Sequence, residues 1–175
     1  MQGLNVKNVT LMALVAACLV QVGAQLFALS VVASTVSAAP PRSLAILQGQ
    51  YHYDSSGFWS TVPPITAVLF VIALIANWTT SRRNLLMIAL TLFVVGGLMA
   101  GLYLEPTFDE IKKVGFRDEV DPMLQARAAR WYATDWAVWA IGATAAVCLL
   151  LALIRPAATM KADSATPWPP PGREP

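Results

Sequence analysis

Four long apolar runs, separated by three polar intervals, set the pattern of this chain. They cover residues 8–36, 61–78, 84–104 and 128–154. Each meets or comes close to the roughly 20 residues that a helix needs to cross a bilayer. Hydrocarbon offers no water to backbone N–H and C=O groups, so such runs must be helical. The pattern predicts an all-α protein, a four-helix transmembrane bundle over residues 1–155. Residues 156–175 include Pro167-Trp-Pro-Pro-Pro171 and read as a proline-rich, disordered tail.

Local signals place the boundaries. In the first loop, Ser43 is a candidate cap for a short interfacial helix, and Asp54-Ser-Ser-Gly57 is a turn signal. The second span is expected to open at Thr61 as N-cap, with Pro63 and Pro64 in a first turn whose N–H groups have no helical acceptor. Thr79-Thr-Ser-Arg-Arg83 is a tight basic turn that makes spans two and three an antiparallel pair. Pro106 is expected to end span three. Thr107-Phe-Asp-Glu110 then reads as the capping box of a second short interfacial helix, closing at Gly115. Asp121-Pro122 combines an N-cap with proline at the first helical position. From there the helical pattern continues into span four, giving a helix about 50 Å long whose first turns project into water. Val36-Ser-Ala38 resembles a signal-cleavage site, but the apolar stretch before it is far longer than a signal h-region, so the run is read as a retained span.

Composition narrows the class. Hydrophobic residues make up 57% of the chain and charged residues 13%, against about 25% charged in soluble domains. The lipid bilayer is therefore the first partner, and a net charge of +2 gives no basis for a nucleic-acid partner. Cys18 and Cys148 lie in apolar runs without ligand spacing and read as packing residues. His52 is the single histidine, which removes any bis-histidine haem scheme. His52, Glu105 and Asp135 are metal-ligand types, but no spacing supports a site, so neither a metal nor another cofactor is expected. There is no P-loop, G-x-S-x-G, HExxH or dinucleotide fingerprint. No repeat relates the two halves, which argues against a transporter. Four spans put both termini on one face. Lys7, Arg82, Arg83, Arg155 and Lys161 favour that face as cytoplasmic, in a bacterial-type inner membrane, although loop three carries as many basic residues.

Candidate chemistry centres on Asp135, a charge inside the fourth apolar run. A carboxylate there is costly and usually has a partner or a job. Trp131, Asp135 and Trp139 recur at i, i+4 and i+8 and share one helix face. They read either as a pocket wall with a carboxylate at its floor or as a packing face with an interfacial tryptophan belt. Gln21 and Gln25 also share a face and must point into the bundle, lining a cavity or bonding a neighbouring helix. His52, in Tyr51-His-Tyr53, is a candidate acid–base partner for Asp135 or simply a solvated loop histidine. Glu105 and Arg130 are expected to form an interfacial ion pair. Gly96, Gly97, Ala100 and Gly101 have the spacing of a helix-packing device.

Several of these segments resemble the anthrone oxygenase-like family of small four-helix membrane proteins. Gly23-Ala-Gln-Leu-Phe27 is similar to its small-residue first helix, and Leu104-Glu-Pro-Thr-Phe-Asp-Glu110 to its proline–threonine–asparagine segment. Ala129-Arg-Trp131 followed by Asp135 is similar to its tryptophan motif opening the fourth helix, and Tyr51-His-Tyr53 to the segment before the second. Asp135 and Val138 stand where that pattern has asparagine and arginine, and Phe108 where it has asparagine. Members with assigned roles add oxygen to polyketide anthrones without a metal or flavin. The resemblance thus implies an intramembrane pocket for a small, flat hydrophobic molecule. In that scheme His52 or Asp135 is the catalytic base and Gln25 or Arg130 positions an oxyanion, while Trp59, Trp131 and Trp139 form apolar walls, with Gln21 and Glu105 also at the substrate. The competing expectation is a non-enzymatic subunit of a larger membrane complex or homo-oligomer. It would have a filled core and Asp135 tied to Arg130 or Gln25.

Overall fold

The computed structural model describes residues 6–156. Four helices are long and apolar enough to cross a membrane: α1 (Val6–Ala38), α2 (Ser56–Asn77), α3 (Arg83–Lys113) and α4 (Pro122–Ile154). They form an all-α bundle. The chain is an integral, multi-pass membrane protein whose bilayer-facing surface carries side chains such as Ile65, Val68, Val71, Ile72 and Ile75 of α2. The expected tail falls outside the described residues, apart from Pro156.

Two core clusters hold the bundle. The lower packs Leu11, Leu14, Phe70, Leu86 and Leu149 near the α2–α3 turn. The upper packs Leu29, Val36, Leu44, Ile111 and Trp131 beneath the two long loops. Within the bilayer such apolar side chains hold the helices by close van der Waals packing rather than by withdrawal from water. Between the clusters lie the polar residues of the spans, and there packing is incomplete.

Both long loops are stitched together. Pro41 and Val120 form an antiparallel bridge, Asp121 N–H donates to Pro40 O at 3.0 Å, and Gln125 Nε2 donates to Ala38 O at 2.7 Å. Asp121 caps α4 as its sequence suggests, accepting from the N–H groups of Met123 and Leu124. Gly115 takes φ +71°, the left-handed conformation that lets α3 end there.

Four boundary expectations differ from what is observed. Ser43 does not cap the short 3-10 helix Arg42–Leu47. Its hydroxyl donates to Val36 O at 2.7 Å and accepts from Ala39 N–H, so it closes the end of α1 instead. α2 begins before Thr61, because Asp54 Oδ1 accepts from Ser56 N–H at 2.8 Å and the amides of Phe58 and Trp59 already bond Ser55 O. Pro63 and Pro64 therefore sit inside the helix and deprive Trp59 O and Ser60 O of their usual donors. Pro106 does not end the third helix. A wide turn over Ala100–Leu104, in which Glu105 N–H reaches Ala100 O, carries α3 past the proline. Thr107 is consequently buried within the helix and Glu110 pairs with Arg127 of α4, so neither forms a capping box. A second wide turn interrupts α1 at Ala28–Ala33, where the Ser30 and Ser34 hydroxyls donate back to Leu26 O and Ser30 O.

At the opposite end, Arg82 is 4% exposed. It donates from Nε to Arg155 O at 2.8 Å, from Nη1 to Asn8 Oδ1 at 2.7 Å and from Nη2 to Leu153 O at 3.4 Å. One guanidinium thus ties the α2–α3 turn to the first turn of α1 and the last carbonyls of α4, where the helix dipole favours a cation.

Candidate functional site

The α4 face bearing Trp131, Asp135 and Trp139 points into the bundle at the upper core cluster. Each indole N–H finds a backbone carbonyl on another helix. Trp131 Nε1 donates to Leu104 O at 3.1 Å and Trp139 Nε1 to Val22 O at 3.2 Å. Such bonds fix the orientation of both indoles, and Trp131 forms part of the cavity wall. Phe108 lies flat on Trp131, with centroids 4.9 Å apart and planes 10° from parallel. The wide turn in α3 sets the position of the segment that carries Phe108.

Asp135 stands between the tryptophans. Gln25 Nε2 of α1 donates to its Oδ1 at 3.0 Å. The other carboxyl oxygen has no protein partner among the described residues. Asp135 lines a cavity of about 740 Å³ that rises to the first loop. Gln25, His52, Trp59, Glu105 and Trp131 line the same space.

At the cavity's loop side, His52 Nδ1 lies 3.0 Å from Gly49 O. A carbonyl can only accept, so Nδ1 carries the proton and Nε2 is the bare nitrogen of the neutral ring. Asp54 lines the rim as well. The backbone N–H and hydroxyl of Ser56 hold its carboxyl below the usual carboxylate range, and the charge of Lys112 adds to this. Lys112 pairs with Asp109 at 2.8 Å and its Nζ lies 4.8 Å from the Phe108 ring centre.

Of the residues singled out in the sequence, His52, Gln25, Trp59, Glu105, Trp131 and Asp135 thus meet at one cavity. Gln21 is on the same face of α1 but lower, where it donates to the buried Thr66 hydroxyl of α2. It lines a second cavity of about 310 Å³. Trp139 packs beside Trp136 and borders neither space. Arg130 is exposed and borders neither. The expected Glu105–Arg130 pair does not form. The ion pair joining α3 and α4 is Glu110 with Arg127, one helical turn earlier on α4. The reason is the wide turn, which leaves Glu105 facing the cavities.

Phe108, Asp54 and Lys112 are site residues that the sequence did not single out as such. Phe108 carried one signal, an aromatic at the second position after Pro106. Among the described residues, no three His, Cys, Asp or Glu side chains converge as a metal site. No protein-family model, curated protein or solved structure matches the chain.

Proposed function

We propose that this membrane protein takes a small aromatic molecule into the chamber beneath its loops and that Asp135 acts on it. The observation that carries this reading is a carboxyl group at the floor of a loop-side cavity, held on one oxygen by Gln25 and unpartnered on the other. A packing aspartate would have both oxygens engaged, since leaving one bare costs free energy. The flat wall made by Phe108 on Trp131 suits an aromatic ring.

The chemistry follows the resemblance to anthrone oxygenases. A substrate with an activated CH₂ loses a proton to Asp135, and the stabilised carbanion reacts with dioxygen. The resulting hydroperoxide loses water to leave a carbonyl, so CH₂ and O₂ become C=O and H₂O. His52 Nε2, at the mouth, relays the proton to water. The loops would face away from the cytoplasm of a bacterial-type cell, and the Arg82 end, with both termini, would face inward.

Native mass spectrometry of the detergent-purified protein tests the binding step. Wild type is expected to retain a co-purifying small molecule, which Asp135→Ala loses and Asp135→Asn keeps in part, because the amide still meets Gln25. Equal retention by wild type and Asp135→Ala would sink a pocket centred on this residue. A second reading, an accessory subunit without catalysis, draws on the Gln25–Asp135 bond itself, which ties α1 to α4. It predicts that Asp135→Ala, which loses this bond, is silent in every assay except assembly with a partner.

A further inference from the structure

The two cavities adjoin. Gln25, Trp59, Ala100 and Glu105 line both. Below these four residues the smaller space is lined by all four helices, from Val22 of α1, Pro63 of α2, Gly97 of α3 and Gly142 of α4 to Phe93, which packs on Phe70 of α2 at 5.0 Å. From Glu105 down to Leu92 the limb extends about 20 Å at 1.5 Å per residue. Its lower walls are apolar or small, apart from Gln21, which is engaged with Thr66.

The upper chamber has the opposite character. The carboxyl groups of Asp135, Glu105 and Asp54 line it, with His52 and Lys112 at its loop side. Lys112 is already paired with Asp109. Three carboxyl groups disfavour an anionic head such as a fatty-acid carboxylate or a phosphodiester. The bare oxygen of Asp135 calls for a hydrogen-bond donor, and the Phe108–Trp131 wall for a ring.

We propose that the chamber and limb form one bent site for a phenolic ring carrying a single aliphatic tail, with the ring against Trp131 and the tail in the limb that the four helices line. This rests on the reading that the chamber receives an aromatic molecule, and it adds the tail and the hydroxyl. Gly97 and Gly101 border it on one face of α3, and a Cβ built at either meets nothing within 4 Å. Either position therefore accepts the first carbon of a side chain without a clash, and larger side chains favour the helix over glycine.

The test is equilibrium dialysis of three probes against the full chain in lipid nanodiscs, with empty nanodiscs subtracted. The probes are para-ethylphenol, para-nonylphenol and para-nonylanisole, the last lacking the O–H donor. The proteins are wild type, Gly97→Leu, Gly101→Leu and Asp135→Ala. Wild type should bind para-nonylphenol more tightly than either other probe. Each leucine variant should weaken para-nonylphenol by about tenfold or more, the worth of a few displaced methylenes, while para-ethylphenol binding stays at the wild-type level and reports an intact chamber. Asp135→Ala should weaken both phenols. If the leucine variants leave para-nonylphenol unchanged while Asp135→Ala still weakens para-ethylphenol, the tail assignment is overturned and the chamber reading stands; a bulk lipid chain in the limb would give this result. Equal binding of the phenol and the anisole overturns the hydroxyl assignment. If wild type binds neither phenol, the chamber reading falls, and the tailed ligand with it.

Discussion

Arg82 and Asp135 are the two charges that the bundle buries most purposefully, and only one of them stood out in the sequence. Asp135 was conspicuous because no other charge interrupts its apolar run to Ile154. Arg82 sat in a basic turn and read as an ordinary cytoplasmic charge. What the turn could not reveal is that Asn8, Leu153 and Arg155 converge on it, since two of those partners are backbone carbonyls with no sequence signature. Burial also pulls the guanidinium below its usual pKa. Arg82→Met should lower stability by about 2–4 kcal/mol, because hydrogen bonds from a charged donor are worth more than neutral ones. Thermal unfolding in detergent reads this. Arg82→Lys should recover only part of the loss, since one ammonium cannot reproduce a planar fork on separated acceptors. Full recovery would mean that charge alone, not geometry, holds the end of the bundle.

Among the elements, the start of α2 carries the clearest pH signature. Ser56 holds Asp54 below the usual carboxylate range, so the ionised form stabilises the helix start. For a carboxyl lowered in the folded state, that contribution is complete above the ordinary carboxylate pKa and fades as pH falls through the lowered value. Protection factors of the Ser56–Trp59 amides should therefore drop in acid. Asp54→Asn keeps an acceptor but no charge, and its profile should be flat. A wild-type profile as flat as the variant's would contradict the assignment. The long helices were legible from length alone, and Asp121 and Gly115 marked their ends by cap chemistry. Pro106 misled because a proline normally stops a helix, while the option of a wide turn is decided by packing around Ala100–Leu104, which no local motif records. Ser43 misled for a related reason: its hydroxyl is shared by two helix ends, and only the fold chooses between them.

For the whole molecule, an even number of spans dictates that the two ends of the bundle chain meet, and Arg82 does bring Asn8 and Arg155 together. Orientation is a separate matter, resting on charge statistics that loop three nearly balances. Substituted-cysteine labelling in sealed inverted vesicles, on a Cys18→Ala, Cys148→Ala background, resolves it. Ser81→Cys should react with an impermeant maleimide in inverted vesicles and Met123→Cys only after permeabilisation. The reverse pattern would turn the molecule over and put the chamber mouth toward the cytoplasm. The gap between the two core clusters was not legible, because a cavity is set by where helices diverge rather than by any residue's identity. Its contributors Gln25, Glu105 and Trp59 could be named singly, but their meeting depends on the wide turns.

The Arg82 latch makes this end of the bundle sensitive to length rather than to spelling. Its acceptors on α4 are peptide oxygens, which every residue supplies, so the side chain at position 155 is free to vary while the count of residues leading to it is not. Arg155→Ala should leave the unfolding temperature unchanged. Deleting one residue from the last turn of α4 shifts both carbonyls by about 100° around the helix and should cost as much as Arg82→Met. If the deletion is harmless, the guanidinium has found other oxygens, and the closing of the bundle is a matter of charge in general rather than of a measured distance along the chain.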